Sequence, residues 1–137
     1  MQQIKIIFFD IDGTLIDMQS KHISPRTVEA LHLLRANGIR LCIATGRAPV
    51  TLPDFGGAEF DAYLTFNGSL CYAGADTIYS RPINGADLQR LIQNAASLGR
   101  PVAAATRDRI AANGTDTDLT DYFAIANEKP DLTADFD

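Results

Sequence analysis

The sequence has 137 residues, of which 46% are apolar and 21% charged, and its formal net charge is −5. These proportions fit a folded unit with a real core and exclude a disordered, fibrous or disulfide-scaffolded chain. The negative balance argues against nucleic acid or an anionic membrane surface as the main partner, because either needs a basic footprint; a small ligand fits better.

The first apolar run is only a few residues long before Asp10, too short for a signal peptide or a membrane span, so a cytoplasmic protein is expected. Residues 4–9 are rich in Ile and Phe and end abruptly in Asp10-Ile11-Asp12-Gly13, the pattern of a strand buried on both faces that feeds a loop. A helix follows: Ser24 suits an N-cap, Pro25 the first helical position, Val28, Leu31 and Leu34 with Ala30 and Leu33 an apolar stripe, and Gly38 the stop. Residues 39–45 read as a second strand. Strand, helix and strand in about 40 residues make a βαβ unit with parallel strands. Both strands then end at one edge, which brings Asp10 and Thr45-Gly46-Arg47 to the same crevice.

Residues 48–61 contain Pro49, Pro53 and Gly56-Gly57 and lack a helical period, so the next crossover is expected to be irregular or only briefly helical. A third strand is expected over 62–66, ending in Asn67-Gly68, and a hairpin over 69–73 and 77–81 around Gly74-Ala75-Asp76. Beyond Pro82 the pattern changes. Asn84 can cap a helix whose apolar face is Leu88, Leu91, Ile92, Ala95 and Leu98, and residues 102–106 and 109–113 look like two strands around a tight turn. Residues 114–118 read as a turn, and 127–137, acidic and poor in apolar residues, give no sign of a closing strand or helix. Cys42 and Cys71 lack metal-ligand spacing and read as reduced, buried thiols.

Two aspartates two residues apart can point to the same side of an extended segment, and Gly13 lets the backbone approach an anion closely. Adjacent carboxylates are costly without a cation, and Mg2+ asks for only one or two of them plus phosphate oxygens and water. A cap or turn is the competing reading of a bare Asp-x-Asp-Gly.

The longer run Phe8-Phe9-Asp10-Ile11-Asp12-Gly13-Thr14-Leu15 resembles the first motif of the haloacid dehalogenase (HAD) superfamily of phosphohydrolases. Ala44-Thr45-Gly46-Arg47 resembles the second motif of its Cof-type branch, and Thr65-Phe66-Asn67-Gly68 the segment that follows there, in matching order and spacing. The resemblance covers 1–81 well and the remainder more loosely. It implies an α/β fold: part of a HAD-like, Rossmann-like parallel sheet over 1–81, then the first part of an α+β cap domain over 82–137.

The resemblance further implies Mg2+-dependent hydrolysis of a small phosphorylated metabolite. Asp10 would be the nucleophile that becomes an aspartyl phosphate, and Asp12 the general acid and base, with both at the metal. Gly13, Thr45 and Gly46 would hold the phosphoryl oxygens, while Asn67 and Arg47 reach substrate from the rim. Taken alone, Thr45 could simply end a strand, Asn67-Gly68 form a turn and Arg47 be a surface charge. His22 and His32 read as a loop and a helix-surface residue.

Two further motifs of the family, a Lys and an acidic Gly-Asp-x-x-Asn-Asp-like segment, are not recognisable; the lysines are Lys5, Lys21 and Lys129. On that reading the sequence stops inside the cap and is a piece of a longer polypeptide, or completes its site with a partner. The alternatives are a non-catalytic association module and a phosphomutase of the same superfamily. An incomplete parallel sheet leaves an edge unpaired, so self-association through it is expected.

Overall fold

A computed structural model describes residues 4–125 and 128–133. The chain packs as two compact units: one gathers the residues up to Arg47 together with Leu52–Pro82, and the other takes Ala48–Thr51 and the chain from Ile83.

The first unit is a five-stranded sheet in the order β1-β2-β3-β4-β5, with β1 at Ile6–Phe9, β2 at Arg40–Ala44, β3 at Ala62–Thr65, β4 at Leu70–Ala73 and β5 at Asp76–Ser80. β1, β2 and β3 run parallel, in the register Phe8 to Cys42 to Ala62; β4 and β5 then reverse as an antiparallel hairpin. The helix α1, Pro25–Ala36, makes the crossover from β1 to β2. The Oγ of Ser24 accepts the Thr27 N–H at 3.1 Å and Pro25 occupies the first turn, as the sequence predicts. Ser24→Ala should lower stability by about 1 kcal/mol, the usual value of an N-cap. Thermal unfolding followed by circular dichroism measures it, and an unchanged midpoint would show that the cap contributes nothing.

The core of this unit lies where α1 meets β2. Leu31 of α1 and Leu41 and Ile43 of β2 are buried together with Ile11, Leu15 and Ile16 of the loop after β1. Phe60 adds edge-on contacts to Phe9, Phe55 and Tyr63. Arg35, near the end of α1, donates to the Glu59 carbonyl at 2.9 Å and lies 3.5 Å from Asp61. Asp61 in turn accepts the Leu41 N–H, which pins the start of β2. Between β2 and β3 only Pro49–Thr51 forms a helical turn, in line with the irregular crossover expected.

The second unit holds α2 at Gly85–Ser97, β6 at Ala103–Ala105, β7 at Ile110–Ala112, α3 at Thr117–Ile125 and β8 at Asp131–Leu132, with sheet order β6-β7-β8. Asn84 caps α2 as expected, its Oδ1 accepting the Asp87 N–H. The predicted apolar face is only partly covered: Leu88, Ile92 and Ala95 are half-buried, whereas Leu91 and Leu98 are exposed.

Two expectations fail here. The 114–118 segment is not a turn but runs into α3, with Thr117 and Asp118 already helical, because the Asp116 carboxylate accepts the Leu119 N–H and starts a helix. Residues 127–137 do contain a strand: β8 pairs parallel with β7, and Arg109 holds Asp131 at 3.0 Å. Asn127 and residues 134–137 lie outside the described residues. In the first unit, β3 stops one residue earlier than expected, because Phe66 and Asn67 turn to positive φ (51° and 55°).

Candidate active site at the strand ends

Ile11 is fully buried while its neighbours Asp10 and Asp12 are exposed, so the core grips the middle residue and turns both carboxylates outward. The Ile11 carbonyl accepts the N–H groups of Thr14, Leu15 and Ile16 at 3.2, 3.0 and 2.9 Å, winding the chain into a tight loop straight after β1. Gly13 stands at φ +81°, a conformation that a side chain disfavours, and its N–H reaches the Ile16 carbonyl. The Thr14 hydroxyl points to Asp10 at 3.4 Å, a long contact, and sequence reasoning gave this residue no role.

β1 and β2 are parallel and Phe9 pairs with Ile43, so Asp10 and Thr45 leave neighbouring strands at the same edge. Thr45 is buried, and its Oγ1 accepts the Arg47 N–H at 3.2 Å, which leaves the hydroxyl proton for an anion. The loop after β3 is bound to this one. The Phe66 N–H donates to the Arg47 carbonyl and the Asn67 N–H to the Thr45 carbonyl, each at 3.0 Å. Any Cβ on Gly46 would lie 3.1 Å from the Asn67 Oδ1, so glycine there lets the Asn67 amide lie against the loop. Thr45, Gly46, Arg47 and Asn67 thus form one group.

The side chain of Arg47 lies on Asp12. Its Nε donates to Oδ2 at 2.9 Å and its Nη2 to Oδ1 at 2.8 Å, a two-pronged pair that joins the two strand ends. The hydrogen bonds from Arg47 hold the Asp12 carboxyl below its ordinary pKa against a burial effect that opposes them, and the charges of Arg47 and Lys21 add to the lowering. Asp12 is therefore ionised near neutral pH. Lys21, held at φ 59° behind a turn in which the Asp17 carboxylate accepts the Ser20 and Gln19 N–H groups, contributes charge that its place in the sequence did not reveal. His22 and His32 are exposed, as expected.

Whether these residues suit a metal turns on the donor set. Among the described residues no three His, Cys, Asp or Glu side chains come together as a cage. The outward carboxylate of Asp10 and the backbone carbonyl of Asp12 are hard oxygens, which suits Mg2+ in its usual form of one or two carboxylates completed by phosphate and water, while the Asp12 carboxylate is taken by Arg47. The residues present fit it on that footing.

Residues 7–136 match the haloacid dehalogenase-like hydrolase family. A Bacillus subtilis (strain 168) protein with the name "Putative phosphatase YkrA" is 30% identical over 113 residues, which is 82% of this chain and 44% of that protein. The HAD subclass IIB sugar phosphatase BT4131 superposes with a TM-score of 0.81 at 25% identity, covering 94% of this chain and 52% of its own. BT1666 from Bacteroides thetaiotaomicron, described among phosphatases of the haloalkanoate (HAD) enzyme superfamily, also gives 0.81 at 24% identity, over 95% of this chain and 49% of its own, a likeness of fold. The chain thus spans about half the length of the relatives it matches. With its motifs on the ends of parallel strands and the match running almost from end to end, the chain belongs to the haloacid dehalogenase-like hydrolase family.

Proposed function

We propose that this chain carries part of a magnesium-dependent phosphatase site for small phosphorylated metabolites. The observation that carries the reading is the outward pair Asp10 and Asp12, on either side of buried Ile11 and beside the Thr45 loop. Asp10 attacks phosphorus, the bond to the leaving oxygen breaks, and an aspartyl phosphate forms on its carboxylate. The Thr45 hydroxyl and the Gly46 amide hold the phosphoryl oxygens, the turn at Gly13, whose own N–H stays on the Ile16 carbonyl, closes around them from the other side, and Asn67 steadies substrate at the rim. Asp10 and the backbone oxygen of Asp12 would hold magnesium, which when bound would supply Lewis-acid stabilisation to the phosphoryl oxygens. Asp12, ionised in the free chain, is ready to activate water against the phospho-enzyme. To protonate the leaving group first, it needs the charge of a bound phosphate to raise its proton affinity.

The reading includes a cytoplasmic setting, in which the free thiols of buried Cys42 and half-buried Cys71 stay reduced. Among the described residues no helix is long and apolar enough to cross a membrane. Residues 82–137 are read as the first part of the cap that selects substrate. Hydrolysis of p-nitrophenyl phosphate with Mg2+, compared between the parent and Asp10→Asn, tests the whole reading.

A second reading, a non-catalytic module that acts by association, draws on β1. It is an edge strand with Ile6 and Phe8 exposed, the kind of unpaired apolar edge that invites another strand. Light scattering at tens of micromolar is expected to show dimers or larger species. A sharp monomer peak would argue against association through that edge.

A further inference from the structure

The pair between Arg47 and Asp12 does more than neutralise a surface charge. A guanidinium is planar, and here its Nε and Nη2 meet the two oxygens of one carboxylate, which fixes the rotation as well as the position of that carboxylate. Arg47 is itself held in place. Its N–H is on the Thr45 hydroxyl, its carbonyl accepts from Phe66, and its side chain is only 15% exposed. Asp12, by contrast, sits on an exposed loop two residues from Asp10, whose side chain is exposed as well. A divalent cation drawn to Asp10 would attract both carboxylates, and one that turned onto the cation would no longer be free to carry a proton.

We infer that Arg47 is a positioning residue, which clamps the Asp12 carboxylate in place and keeps it off the cation that Asp10 attracts, instead of gripping substrate. The inference rests on the reading of Asp10 and Asp12 given above. It differs from that reading in what it asks of Arg47: the fork must act through Asp12, so any effect of changing Arg47 on the cation must disappear when Asp12 has no charge to release. An ordinary surface ion pair would contribute little to stability and would leave cation affinity dependent on charge alone.

Mn2+ is the probe, titrated into the whole chain with free ion counted by electron paramagnetic resonance. Four proteins are compared: the parent, Arg47→Lys, Asp12→Asn and the double variant. Lys keeps the positive charge but has no fork, so Arg47→Lys should bind Mn2+ about three- to tenfold more tightly than the parent, as a second carboxylate is released. The gain should be absent when Arg47→Lys is made in Asp12→Asn. No gain in Arg47→Lys, whether or not the parent binds measurably, overturns the inference. So does a gain that persists in the Asp12→Asn background. If Arg47→Lys does not fold, by circular dichroism, Arg47→Gln takes its place, again with and without Asp12→Asn, and is judged by the same two outcomes. Failure of the underlying metal site would look different: Asp10→Asn would bind Mn2+ as well as the parent does.

Discussion

Asp10→Asn should remove Mg2+-dependent hydrolysis of p-nitrophenyl phosphate, lowering kcat by about three orders of magnitude or more. Asn keeps the size and the outward direction that buried Ile11 imposes on Asp10, so the loop built on the Ile11 carbonyl is retained. What it lacks is the negative charge, which on the proposed reading both attacks phosphorus and attracts magnesium. An equal rate in parent and variant would place the turnover elsewhere and sink Asp10 as nucleophile. No turnover in either would favour the non-catalytic reading, and the chain's match to only about half of its relatives makes that outcome informative.

Ile43→Ala should destabilise the chain by about 2–5 kcal/mol, the range for emptying a fully buried aliphatic site. Ile43 has no exposed surface and sits on β2 between Phe9 of β1 and Tyr63 of β3, so neither side can readily collapse into the vacated volume. Urea unfolding measures the loss, and a change below about 1 kcal/mol would mean that the core gives way more easily than close packing predicts. Because Thr45 lies two residues further along, the same variant should also loosen the loop that carries Thr45, Gly46 and Arg47.

Much of the first unit was legible from sequence. Apolar runs that stop at Asp10 and at Thr45, with a capped helix between them, leave little room for anything except parallel strands and a shared edge. The exposure of Asp10 and Asp12 was foreseen too, although Ile11 between them is buried in a tight loop wound on its own carbonyl and not in an extended segment. Other features were hidden for identifiable reasons. Asp116 starts α3 with the same carboxylate-to-amide bond that builds a turn, so a short polar segment could not separate the two. β8 is two residues long, too short for any periodicity to register. The exposed Leu91 and Leu98 keep helical spacing, which gives the face they share but not whether anything covers it. The clasp of Arg47 on Asp12 spans 35 residues and depends on side-chain rotamers, about which local pattern carries no information.

The paired hydrogen bonds between the loops after β2 and β3 bear on how such a site could move. A hinge needs a few residues whose φ and ψ change freely. Here any swing of one loop would have to break the Phe66 bond to Arg47 and the Asn67 bond to Thr45 together, and would drag the Asn67 amide across Gly46. The two loops beside Asp10 are therefore tied into one piece, an anvil in which neither loop moves without the other.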